Sequence, residues 1–528
     1  MPSIDPEQIA AAEAILGISF TEEERAMMAP GLEGKVARYD RRRTGVALGN
    51  ERAPLTTFDP WLGAGAPQGE YQADTTLTEP GPLPPADEDI AYAPVHKLAM
   101  WIRSKQLTSE RLTSIYLDRI ERYDGKLFAC ITVLKEQSLA EARDRDGELA
   151  KGRWRGPLHG IPYGAKDLFD TAQVRTTWGA EPWADRVPDS DATVVEKLRE
   201  AGAVLLAKTS LGALAYGDRW LDKRTNNPWN MRQGSSGSSA GSAAGTAAGL
   251  FAFALGTETY GSIVSPSMRC GTTGLRPTFG RVSRGGAMAL CWTLDKVGPI
   301  TRSVRDTRLV LDAIAGIDVR DPSTQAMPLR GMDKRPFNEI KVGLRRDWFD
   351  GRGASDGDRA GLAALEELGV QIVELELPEG PHDALMTILD VEAASAFEDM
   401  TRANEDDMLQ WQAPQAWPNT FRSAWMIPAI ELVQADRYRR IVAEGMAASM
   451  SKVDAVYGPS FAGGMLMLTN FTGHPCMVMR TGMNQRGTPQ GSTLWAPLAE
   501  EGVLFRLGEA IEAKLGVASL RPDLDAAE

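Results

Sequence analysis

Apolar positions at helical spacing mark the start of the chain. Ile9, Ala12, Ile15 and Leu16 fall on one side of a first short helix. A second is opened by Thr21 with Glu24 three residues later, a capping box, and closed by Gly31. Between 53 and 94 the pattern breaks: eight prolines, including Pro80-Gly81-Pro82-Leu83-Pro84-Pro85, predict an extended arm rather than a packed element. A large domain is therefore expected over 89–528, preceded by a helical and Pro-rich segment over 1–88.

From about Glu88 the periodicity alternates between 3.6 and continuous apolar runs. Leu98, Trp101 and Ile102, then Leu112, Ile115, Tyr116 and Ile120, predict two helices with Thr108 or Ser109 as the cap between them. A strand over Leu127–Leu134 follows. Asp189-Ser190-Asp191 open a helix carrying Val194, Val195 and Leu198, which Gly202 closes before an apolar strand, Ala203–Ala207. Later strands are expected at Ile340–Leu344, Val370–Leu375 and Ala455–Gly458, with a mostly helical region over 380–450. Met386, Met400, Met408, Trp411, Trp417, Trp425 and Met426 in that region are candidates for an apolar pocket, or for helix packing. Such alternation predicts an α/β fold whose sheet is covered by helices on both faces.

One segment departs from all of this. Residues 234–249 read GSSGSSAGSAAGTAAG, followed by an apolar run to Leu255 and a turn, Gly256-Thr257-Glu258-Thr259-Tyr260-Gly261-Ser262. Small residues over Ala240–Ala248 suit a helix packed tightly on a sheet, so Ser238 and Ser262 flank one short helix and strand. Upstream, Lys166 ends the strand-like stretch Leu158-His159-Gly160-Ile161-Pro162-Tyr163-Gly164-Ala165.

At 528 residues the chain is long enough for a large core, and 43% hydrophobic with 24% charged residues is an ordinary globular balance. A net charge of −13 argues against a partner held by nucleic-acid phosphates. The start has no basic leader and no apolar stretch approaches the roughly 20 residues of a membrane helix, so a cytosolic protein without a membrane span is expected. Cys130, Cys270, Cys291 and Cys476 are widely spaced, and His96, His159, His382 and His474 form no H-E-x-x-H, so neither disulfides, metal nor cofactor is expected.

The chemistry then turns on hydroxyls and an amine. A serine is a poor nucleophile until a neighbour takes its proton, and a lysine does so only when neutral. Lowering a lysine from about 10.4 to near 7 costs about 5 kcal/mol, within reach of full burial. Lys166, Ser238 and Ser262 are thus read as a proton relay. Lys166 paired with Asp167 in an ordinary ion pair is the plain alternative. The Gly/Ser run also admits a flexible linker, a phosphate cradle lacking its G-K-[ST] ending, or the elbow G-x-S-x-G at Gly237-Ser238-Ser239-Ala240-Gly241, which would make Ser239 an esterase nucleophile with His474 as base.

Five blocks in order over roughly 90–510 resemble the amidase signature family of hydrolases. They are Leu158 to Asp167; Tyr260-Gly261-Ser262-Ile263-Val264-Ser265-Pro266; Cys270 to Thr278; Leu294-Asp295-Lys296-Val297-Gly298-Pro299; and Thr472-Gly473-His474-Pro475. The resemblance implies one large domain with a central mixed sheet. It implies that Ser262 attacks the carbonyl, that Ser238, 24 positions earlier, passes its proton, and that Lys166 accepts it. It also implies a cis peptide at Gly237–Ser238 and an oxyanion hole from the N–H groups around Thr259, Tyr260, Gly261 and Ser262, which contact the substrate. The substrate would be a small amide, ester or carbamate.

Two positions depart from the family pattern. Tyr260 stands where glycine is usual, which would strain the turn if that position needs φ > 0. Val264 replaces a frequent arginine, leaving Glu258 to find another partner, for which Arg269 is the candidate. His159 and His474 read as structural, and Cys270 as a small core residue. The opening Ile4–Arg25 faintly resembles the small helical partner of glutamine-dependent amidotransferases, which makes membership of such a multi-protein assembly the second functional reading. An arm wrapping its own domain or a second copy, in a homodimer, is the other use of that segment.

Overall fold

Eleven strands line up as one mixed sheet. In chain order they are β1 (Cys130–Val133), β2 (Pro162–Lys166), β3 (Val204–Thr209), β4 (Phe253–Glu258), β5 (Thr273–Arg276), β6 (Lys296–Thr301), β7 (Lys341–Leu344), β8 (Gln371–Glu374), β9 (Ala455–Pro459), β10 (Cys476–Met483) and β11 (Pro489–Trp495). Their spatial order is β1-β3-β2-β4-β6-β5-β10-β11-β9-β7-β8. The structure, a computed structural model, describes residues 4–46, 48–73, 77, 79–329, 333–351 and 353–525. The first three residues of the expected leader-free start and positions 74–76 and 78 of the Pro-rich arm lie outside these.

Central strands are buried on both faces. Every residue of β2, β3, β4 and β6 is buried, as continuous apolar or small-residue runs require when helices cover both sides. β2 runs parallel to both β3 and β4, with Ala165 opposite Lys208 on one side and Leu255 on the other. The helix Ala240–Ala247, buried at all eight positions, packs on β4 as its small residues predict. Among the described residues no helix is long and apolar enough to cross a membrane.

Several boundaries differ from the sequence expectation, each for a local reason. The second N-terminal helix does not stop at Gly31. It runs over Glu22–Gly45, and its far end is held by Arg42 and Arg43, which bond the Glu398 carboxylate at 2.7 and 3.0 Å. Thr21 and Glu24 do form the capping box. Of the expected apolar side of the first helix, Ile9 is buried while Ile15 and Leu16 are exposed.

Leu127 ends the helix Ser109–Leu127 instead of opening a strand. The Asp124 carboxylate takes the N–H groups of Ala129 at 2.7 Å and Cys130 at 3.3 Å, so the strand begins only at Cys130. The helix Thr193–Glu200 has Ala192, not the Asp189–Asp191 run, at its cap position. Asp191 is occupied elsewhere, accepting from Ala172 N–H at 2.8 Å and pairing with Arg199. The expected turn after Leu255 begins later as well, because Gly256, Thr257 and Glu258 stay in β4, paired with β6.

The Pro-rich arm is extended but not loose. Tyr71 donates to Asp312 at 2.7 Å, and Gln72 N–H donates to the Leu329 carbonyl at 2.9 Å. Phe58 lies edge-on to Phe279 and beneath the Arg439 guanidinium, 3.5 Å from its ring centroid. The described residues of the arm thus pack along the folded body; up to the helix Asp87–Tyr92 they form no helix or strand, only a single bridge between Tyr71 and Leu329.

Candidate active site

Lys166 is the last residue of β2, and its side chain is fully buried. Its Nζ donates to Ser238 Oγ at 2.8 Å and to Thr257 Oγ1 at 2.8 Å, with the Thr257 carbonyl at 3.4 Å. No carboxylate pairs with it among the described residues. Burial brings its pKa down to about 7, against the attraction of Asp295 and Glu258. The expected alternative, an ion pair with Asp167, does not form. Asp167, in the turn that follows β2, pairs instead with Lys208 at 3.2 Å.

Ser238 follows a cis Gly237–Ser238 peptide and is almost wholly buried. The chain there runs so close to its neighbour that a Cβ on Gly237 would sit 1.8 Å from the Gly217 carbonyl oxygen, a position only glycine can fill. The next residue, Ser239, ties the two serine segments together, donating its N–H to the Ser262 carbonyl at 3.1 Å. Its hydroxyl is committed to β4, donating to the Thr257 carbonyl at 3.1 Å and accepting from Thr257 N–H at 3.2 Å. That locked, fully buried hydroxyl is unsuited to the elbow reading. His474, its proposed base, is bonded to Thr472 Oγ1 at 2.7 Å, and burial pushes its imidazole down to about 3.

Ser262 is half-buried, at the head of the helix Val264–Cys270, and its hydroxyl bonds to no described residue. The N–H groups of Tyr260, Gly261 and Ser262 likewise donate to none of them. Gly261, not Tyr260, carries the left-handed conformation, with φ of 94°. The bulky Tyr260 is therefore accommodated without backbone strain and leans its ring toward Phe471, with 37% of its surface exposed. Thr259 is pinned on the other side, donating to Asp295 at 2.5 Å. Asp295 in turn accepts the N–H groups of Leu290 and Cys291 at 2.8 and 3.0 Å.

Glu258 fastens the same turn from below. One oxygen accepts Ile263 N–H and Val264 N–H, both at 2.9 Å, and the other accepts from Arg276 at 2.7 Å and Asn470 at 3.0 Å. Burial pushes its carboxyl up, but Arg276 and these donors hold it below the usual range. The partner expected from sequence, Arg269, is exposed on the outside of its helix, and Arg276 on β5 takes the role. Thr257 and Arg276 both escaped the sequence reading. Their only signal is strand adjacency, since β4 lies beside β2 and two strands from β5.

A cavity of about 650 Å³ reaches Thr257 and Thr259. Leu168, Trp178, Arg284 and Met288 line it, and residues 50–53 of the arm form part of its wall. Asn50 fixes that wall: its side-chain amide donates to the Ala289 carbonyl at 2.8 Å and accepts Ala289 N–H at 2.7 Å. None of Met386, Met400, Met408, Trp411, Trp417, Trp425 and Met426 lines this cavity. Met400 is in the core, Met408, Trp425 and Met426 are exposed, and Trp411 and Trp417 pack against Tyr216 around a separate space of about 230 Å³.

His159 is buried, with Nε2 against the Arg145 carbonyl at 3.0 Å, and Cys270 is a fully buried free thiol. Among the described residues no group of three or more His, Cys, Asp or Glu is arranged to hold a metal ion.

The model of the family described as Amidase matches residues 111–485. The chain belongs to the amidase family. Its curated relatives include a glutamyl-tRNA(Gln) amidotransferase subunit from Moorella thermoacetica, 40% identical over 300 residues, where the match covers 55% of this chain and 61% of that protein. The corresponding protein of Dechloromonas aromatica is 34% identical over 403 residues, covering 70% of this chain and 82% of the relative. Among solved amidase structures, the native peptide amidase from Stenotrophomonas maltophilia superposes with a TM-score of 0.73 at 30% identity, covering 82% of this chain and 99% of the other. The family is one of amide C–N hydrolases, and its mixed sheet covered by helices is the fold found here.

Proposed function

We propose that this chain hydrolyses a carboxylic amide, or a related ester or carbamate, through an acyl-enzyme on Ser262, with Ser238 and Lys166 as its proton relay. The observation that carries the reading is the buried Lys166 amine, 2.8 Å from Ser238 Oγ and facing hydroxyls instead of a carboxylate. Ser262 Oγ, which is unbonded in the resting site, turns onto Ser238; neutral Lys166 takes the Ser238 proton as Ser238 takes that of Ser262, and Ser262 Oγ attacks the carbonyl carbon. The unengaged N–H groups of Tyr260, Gly261 and Ser262 suit a developing oxyanion, each such donor being worth about 3–4 kcal/mol. Collapse of the adduct breaks the C–N bond, and the proton held on Lys166 returns through Ser238 to the leaving nitrogen. Water then repeats the sequence, releasing the acid and restoring Ser262. Thr259, Tyr260 and Gly261 contact the substrate, which reaches them through the cavity beside Thr257.

Incubation with a fluorophosphonate, followed by peptide mass spectrometry, tests this. Label on Ser262 that is lost in Ser262→Ala and strongly slowed in Lys166→Ala is the expected result. Label on Ser239, or full turnover by both variants, contradicts it.

A second reading rests on the relatives named as glutamyl-tRNA(Gln) amidotransferase subunits. In it the same chemistry releases ammonia within a multi-protein assembly. Hydrolysis of simple amides by the purified chain with neither ATP nor partner supports the first reading, and strict partner dependence the second.

A further inference from the structure

A second cavity, of about 920 Å³, shares no lining residue with the one beside Thr257. It lies between the start of the main domain, the helix Glu501–Leu515 and the edge of β10, and its walls include Tyr92, Trp101, Trp229, Arg302, Arg480 and Glu512. Arg480 sets its character. The residue is only 8% exposed, yet its side chain makes neither a hydrogen bond nor an ion pair with any described residue, and its Nε is buried without a partner. Arg302, by contrast, is consumed by the carbonyls of Ala91, Ala93, Thr246 and Phe251.

Arg480 is held where it is by packing. Its guanidinium lies 5.3 Å from the centroid of the Trp229 ring, which is itself fixed by Nε1 donating to the Cys270 carbonyl at 2.8 Å. Its Cδ lies 3.2 Å from where a Cβ on Gly271 would be. Burial lowers the group to about 10, which leaves it charged at neutral pH. Glu512 attracts it without forming an ion pair: that carboxylate accepts Val304 N–H at 2.8 Å, and burial pushes it up to about 7. A buried cation without a bonded counter-ion is costly, and an anion entering the cavity relieves that cost.

We propose that this cavity binds an organic carboxylate, its two oxygens on the Arg480 guanidinium and its apolar body against Trp101 and Trp229. The planar fork of arginine matches a carboxylate in two parallel hydrogen bonds. The aromatic walls favour a ligand with apolar substance over a bare ion.

Isothermal titration calorimetry of the full chain with sodium benzoate tests the site. Saturable binding is expected, weakened at least about tenfold in Arg480→Met, which removes both charge-assisted hydrogen bonds. Arg480→Lys, which keeps the charge and loses the fork, falls between. Hydrogen exchange on the unmodified protein is a second readout that needs no variant: benzoate slows exchange over 476–483. Equal affinity in wild type and Arg480→Met, no binding to wild type, no protection of 476–483, or tighter binding of inorganic phosphate than of benzoate overturns the proposal.

Discussion

Two lysines on neighbouring strands, Lys166 of β2 and Lys208 of β3, are both fully buried and end in opposite chemistry. Lys208 meets a carboxylate, Asp167, at 3.2 Å, and donates to the Phe169 carbonyl at 2.8 Å and Thr176 Oγ1 at 2.6 Å. Lys166 meets two hydroxyls. Burial alone pushes either amine toward neutrality, and Asp167 opposes that push for Lys208. A structural lysine is thus made by giving it a counter-ion. In the proposed relay a base is made by withholding one while keeping hydroxyls in reach, because a neutral amine can then accept a proton from the group it touches.

Exchanging the roles gives the largest effect. On the proposed relay, Lys166→Met should lower kcat/KM by at least about a thousandfold, since it would remove the proton acceptor of an otherwise weak nucleophile. The same variant should be more stable than wild type near neutral pH. Lys166 has a folded pKa near 7 against an unfolded value near 10.5, so the unfolded chain binds the extra proton between those values and stability falls as pH drops through that window. Each unit is about 1.4 kcal/mol, so urea denaturation should show a gain of up to about 4 kcal/mol at pH 7, shrinking to nothing above pH 10.5. Equal stability at all pH values would mean that burial does not set the state of this amine.

Breaking the other pair should act on the fold. Asp167→Asn leaves Lys208 without its counter-ion and should cost about 3–5 kcal/mol in the same denaturation experiment. Surviving protein should keep the acid limb of its pH–rate profile where wild type has it. Thr257→Val sits between the two cases. It removes one acceptor that favours the charged amine, so the limb should move to lower pH while kcat drops about tenfold, read from initial rates over pH 5–9. The smallest effect is expected from Asn50→Ala, which loosens the cavity wall at Ala289. It should raise KM severalfold with kcat little changed, the split a merely destabilised fold would not give.

Much of this contrast was legible in the sequence, and what was not has a common cause. Lys166 at the end of an apolar strand, and two serines flanking a small-residue helix and the next strand, announce themselves because each depends on local pattern. The partner of Asp167, the acceptor Thr257 and the arginine holding Glu258 do not, because each is decided by which strand lies beside which. Arg276 is 18 residues from Glu258 along the chain and reaches it across the intervening strand β6. The Trp- and Met-rich stretch does not line the cavity beside Thr257, for a related reason. Composition gives a helix's apolar content but not the direction its faces point, and Trp417 turned inward to donate to the Leu214 carbonyl at 2.9 Å while Trp425 stayed at the surface under Arg43. Gly31 misled as a stop signal because an ion pair with Glu398, more than 350 positions away, keeps the helix going.

The most direct test of the central claim is a carbon-detected NMR titration of lysine side chains, assigned by comparison with Lys166→Met. The Lys166 Cε resonance should titrate near pH 7, about three units below the exposed lysines. A midpoint at or above about pH 10 would mean a charged amine at working pH, and a relay ending on Lys166 could not operate.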